Sequence, residues 1–78
     1  MDEIEKAHDD VLSAFWEMVQ AYERNDIPLE RFMERVAGKA MLDIQQHPND
    51  MEIQRRAHIR LAAVNMSMAA ACTEDTND

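Results

Sequence analysis

Glu5 and His8 stand three residues apart. On a helix this Glu-x-x-His spacing puts a carboxylate and an imidazole on one face, as in helical di-iron carboxylate sites. Such sites also need further carboxylates and a second pair on a facing helix. The chain carries one copy, so a site built on Glu5 and His8 would require a symmetric dimer, and no metal is expected. His47, His58 and Cys72 are the other side chains able to ligate or to attack. No pair among them has a zinc-ligand spacing, and one cysteine permits no disulfide within the chain. Short helical chains rarely enclose several convergent polar groups in one pocket. The expectation is therefore no catalytic residue, no cofactor and no enzyme activity.

Gly38 has no phosphate-loop context, because no strand precedes it and no second glycine follows. Within a helix it points instead to a close helix crossing beside Ala37 and Ala40. Arg55, Arg56 and Arg60 form the basic cluster of the chain, and Gln54, Arg55 and Arg56 faintly suggest a DNA-reading helix. The charge balance opposes that: 16 acidic against 8 basic residues, a formal net charge of −8. Such a field repels nucleic acid and anionic membranes alike. The arginines are expected to meet the acidic side of the first helix.

These residues must be positioned by 78 residues, which leaves no room for two cores. Apolar residues make up 46%, with one Gly and two Pro. That is too apolar for a disordered chain and too poor in turn residues for a hairpin-rich fold. Ile4, His8, Val11, Phe15, Met18 and Tyr22 alternate spacings of four and three, which predicts a helix over 2–24. Asn25-Asp26-Ile27-Pro28 breaks it, with Pro28 expected in the first turn of a second helix and Asp26 or Ile27 as its cap. That helix runs over 28–46, with Leu29, Phe32, Met33, Val36, Ala37, Ala40, Met41 and Ile44 as its stripe. After His47-Pro48, Asn49 and Glu52 have the capping-box spacing and start a third helix over 50–72. Residues 73–78 are polar and acidic and read as a disordered tail.

The fold class is thus all-α: one domain over 1–72, a small three-helix antiparallel bundle with two long antiparallel helices and a shorter middle one. The segment Leu61–Cys72 is apolar almost all round. Burying that within one copy is hard, so the chain is expected to be a homodimer, joined through Leu61, Val64, Met66, Met68 and Ala69 of the last helix.

Trp16, the one tryptophan, lies off the first helix's stripe, beside Leu12, Ser13 and Gln20, where it either packs at the edge of the second or third helix or binds a partner together with Asp9, Asp10, Glu17, Gln20 and Glu23. An aromatic at such an edge is a frequent interface anchor. The seven methionines suit core filling and also an adaptable binding surface. The reading is a non-catalytic protein-binding module, an acidic adaptor or inhibitor of a larger protein with a basic or apolar groove. In general character it is similar to phage-encoded inhibitors of host proteins and to small secretion chaperones. Asp2, Glu3, Glu5, Asp9, Asp10, Glu17 and Glu23 also allow a row that mimics DNA phosphates and occupies a basic groove. The acidic N-terminus has the wrong sign for a targeting segment, and no apolar run reaches the roughly 18 residues of a membrane span. A bacterial or host-cell cytoplasmic location and no membrane partner are expected.

Overall fold

The computed structural model describes residues 2–25 and 27–76. They form three helices and, among the described residues, no strand: α1 (Asp2–Asn25), α2 (Leu29–Gln46) and α3 (Met51–Thr76). At 1.5 Å per residue the helices are about 36, 27 and 39 Å long. Short connections turn the chain back at each break. The start of α3 lies beside the end of α2, where Gln54 donates to the Ile44 carbonyl. Further along, Met68 and Ala71 lie beside Pro28 and Leu29. α2 and α3 are therefore antiparallel. Asp10 meets Arg55, and eight residues on Met18 shares the core with Ala63 and Val64, so α1 and α3 run in the same direction. The two long helices are parallel to each other, and the shorter middle one opposes both. This corrects the expectation of two long antiparallel helices.

α3 packs against both α1 and α2, while the α1 and α2 backbones approach each other little. They meet through side chains: the Tyr22 and Phe32 rings are 6.0 Å apart and tilted at 54°. The central cluster is Met18, Phe32, Met33, Ala63 and Val64. Val11, Phe15, Tyr22 and Val36 are among the partly buried residues around it. Ala40, Ala57 and Ala63 are at most 1% exposed, yet among the described residues no large side chain is fully enclosed. Small residues let the helices approach, and the larger ones are capped only on part of their surface.

That arrangement accounts for much of the apolar circumference of α3 without a second copy. Val64, expected at a dimer interface, is 8% exposed and belongs to the protomer's own core. Leu61 and Met66 are half-buried, and Met68 and Ala69 are exposed.

The helix ends differ from the expected ones in detail. Pro28 is the N-cap of α2, with φ −56° and ψ 141°, and the helix begins at Leu29. Proline suits that place because its φ is already near the helical value while its ψ stays extended. Ile27 is therefore not the cap, and Asp26 lies outside the described residues. At α3 the cap is Asp50 rather than Asn49: its carboxylate accepts the Ile53 N–H at 3.1 Å. Glu52, freed from a capping box, pairs with Arg56 at 2.7 Å. The Gln54 amide donates to the carbonyls of Ile44 and His47, both at 2.9 Å, so orphan acceptors at the end of α2 are satisfied from the next helix.

The helix does not stop at Cys72. It continues to Thr76, and Thr73 Oγ1 donates back to the Ala69 carbonyl at 2.8 Å. The run Ala69-Ala70-Ala71 carries the best helix former into the polar segment. The tail expected over 73–78 is thus helical through Thr76, and Asn77 and Asp78 lie outside the described residues.

Register leaves both long helices with overhangs. Because Asp10 is level with Arg55, the first turn of α1 has no α3 beside it, and Ile4 is 71% exposed despite its place in the apolar stripe. The radius of gyration is 13.5 Å, against about 11.5 Å for a compact chain of this length.

Gly38 is exposed, and a Cβ placed there meets nothing within 4 Å. No helix crosses it, which corrects the expected close approach. Gly38→Ala should therefore raise the unfolding free energy by about 0.5–1 kcal/mol, through helix propensity and a less free unfolded chain. A shift of the urea midpoint to higher concentration is the check.

Candidate functional site

Helical spacing places Asp9, Trp16, Gln20 and Glu23 on one stripe of α1, and all four are exposed. The indole is 60% exposed. Its inner edge meets the Phe15 ring in a T-shaped contact, with centroids 5.4 Å apart and planes at 68°. Phe15 in turn packs against the core cluster, so Trp16 is a surface aromatic with a supported base. Two residues expected in the same set fall elsewhere. Asp10 is half-buried and holds the Arg55 guanidinium. Glu17 is exposed on the other flank of α1, beside Ala14 and Arg60.

The three arginines of α3 do not form one patch. Arg55 reaches Asp10 across the α1–α3 contact, as expected of this cluster. Arg56 turns along its own helix to Glu52. Arg60 lines a groove between α1 and α2. A helix presenting three free guanidiniums to a phosphate backbone is not what this geometry offers.

The groove was not anticipated. It exists because α1 and α2 both rest on α3 but stand apart from each other. Ala14, Met18 and Ala21 form one wall and Phe32 and Val36 the other, around a volume of about 370 Å³. Arg35, Lys39 and Arg60 flank it, with Glu17 on the α1 side. The spacing of Arg35 and Lys39, one turn apart on α2, was the available sign in the sequence. Lys39 Nζ lies 2.7 Å from the Asp43 carboxylate. That hydrogen bond holds the Asp43 carboxyl below its usual range against the opposing effect of desolvation, with further help from the charges of Lys39, His47 and Arg60. A lowered folded-state value means that the contact stabilises the fold above the ordinary aspartate range, and that this contribution fades as pH falls through the lowered value.

Glu5, His8, His47, His58 and Cys72 are all exposed. Among the described residues, no group of three or more His, Cys, Asp or Glu is placed to hold a metal ion. No described helix is long and apolar enough to cross a membrane. The surfaces that stand out are the Trp16 stripe and the α1–α2 groove. No family model, curated protein or solved structure matches the chain.

Proposed function

We propose that the chain is a non-catalytic protein-binding module, an acidic helical adaptor or inhibitor that docks on a larger protein through the Trp16 face of α1. The observation that carries this reading is the 60% exposure of the one tryptophan, on a stripe it shares with exposed Asp9, Gln20 and Glu23. A large indole left in water gains on transfer to a partner pocket, and flanking carboxylates favour a partner that is basic around that pocket.

The test is a paired capture with tagged wild type and Trp16→Ala, compared by quantitative mass spectrometry at low and high salt. A discrete partner retained by wild type and lost from the variant supports the reading. Identical capture by both chains defeats it. Capture that collapses with salt but ignores Trp16 favours the DNA-mimic alternative, in which carboxylates alone engage a basic groove.

Self-association through α3 is also proposed, on a smaller surface than expected: Met68 and Ala69 with the open sides of Leu61 and Met66. Light scattering over a concentration series tests it, and a mass fixed at the monomer value throughout would rule it out.

A further inference from the structure

We propose that the α1–α2 groove receives an amphipathic helix of a partner protein, one with acidic residues along one flank, and that this helix completes a four-helix bundle. The proposal rests on the reading of the chain as a protein-binding module, but it uses a different face from Trp16.

Geometry supplies the first argument. α3 touches both other helices, and the α1 and α2 backbones make little contact with each other, so three corners of a four-helix bundle are filled and the fourth is a trough. Its walls run over Ala14–Ala21 on α1 and Phe32–Lys39 on α2, about 10.5 Å of helix axis, or two turns. Apolar anchors at i, i+3 or i+4 and i+7 on an incoming helix would span that length. The trough is open to solvent, which suits a helix with its own outward polar face better than an acyl chain, whose far side would stay wet.

Charge supplies the second. In a chain of net charge −8, three of the eight cations flank this one groove. Lys39 is already paired with Asp43. Arg35 and Arg60 make no ion pair among the described residues. The groove's own carboxylate, Glu17, stands on α1 beside Arg60, so the acidic flank of the incoming helix faces Arg35 on the α2 side and competes with Glu17 for Arg60. Guanidiniums bind carboxylates in a bidentate geometry that fixes register as well as adding affinity.

The probe is a labelled synthetic helix of about five turns, with Leu at the three anchor positions and Glu along one flank; a control carries Lys in place of Glu. Fluorescence anisotropy is measured on the full chain. The Glu peptide is expected to bind in the range of about 10 μM, and the Lys peptide at least about tenfold more weakly. Arg35→Glu with Arg60→Glu should reverse that preference, and Arg35→Gln with Arg60→Gln should weaken it at unchanged helical circular dichroism. Trp16→Ala should leave peptide binding intact. Equal binding of both peptides, no binding of either, or indifference to the arginine variants overturns the proposal. So does tighter binding of decanoate than of the Glu peptide, which would make the groove a site for an anionic amphiphile. If the groove fails while Trp16-dependent capture persists, the protein-binding reading stands without it.

Discussion

A Phe32→Ala chain should lose about 3–5 kcal/mol of unfolding free energy and show little cooperative melting at growth temperature. The size of that effect follows from how thin the core is. Ala40, Ala57 and Ala63 are closed off, but among the described residues no large side chain is. A chain of this length has roughly 4–12 kcal/mol to lose. Phe32 is the aromatic ring most enclosed by the bundle, 9% exposed. It stands against Tyr22 of α1 and belongs to the cluster with Met18, Met33, Ala63 and Val64. Removing it leaves a void where all three helices meet, and it takes away the ring that links α1 to α2 where their backbones stay apart. Thermal circular dichroism with a urea titration checks the loss. An unfolding free energy within about 1 kcal/mol of wild type would mean that the helices close over the gap.

Trp16→Ala should do the opposite: leave stability within about 1 kcal/mol, and lower partner affinity by about 30-fold or more if the indole is the anchor of the interface. The asymmetry comes from exposure. More than half of the indole surface is already in water, so truncation removes one edge-on contact with Phe15 and little burial. In the free protein the tryptophan fluorescence should be that of a solvated indole, readily quenched by neutral acrylamide. Because the chain has one tryptophan, a blue shift and loss of quenching on adding a captured partner would report engagement of this residue. An emission already blue-shifted at low concentration would place Trp16 in a self-association interface instead.

Much of the backbone was legible because helical periodicity is local. The stripes through Val11, Phe15 and Met18 and through Phe32, Met33 and Ala40 gave helix number, order and nearly every boundary. What failed depends on neighbours. Ile4 continues the apolar period of α1 but precedes the level at which α3 begins. Gly38 has the composition of a crossing point and no helix opposite it. Asn49 and Asp50 are equally good caps, and only the path of the turn selects Asp50. Val64 looked surplus because a wheel drawn for α3 alone does not reveal that two helices rest against it. The α1–α2 groove was beyond reach for the same reason, since it is a property of the distance between helices. The chemistry-bearing residues fared as isolated motifs often do. Trp16 stands exposed on its stripe, while Asp10 departs from that set through its contact with Arg55 and Glu17 through helical spacing alone, which turns it to the other flank of α1.

The amide of Gln54 ties the end of α2 to the start of α3, and this has a kinetic consequence. Residues 29–71 form a helical hairpin whose two arms are joined by a four-residue connection, so closing it demands little loop entropy. α1 must instead find α3 across a sequence separation of 45 residues, as at Asp10 and Arg55. Folding should therefore begin in the hairpin, with α1 docking late and leaving first. The helix that carries Trp16 is then the one most easily released, and a partner that holds it would also slow the opening of the bundle.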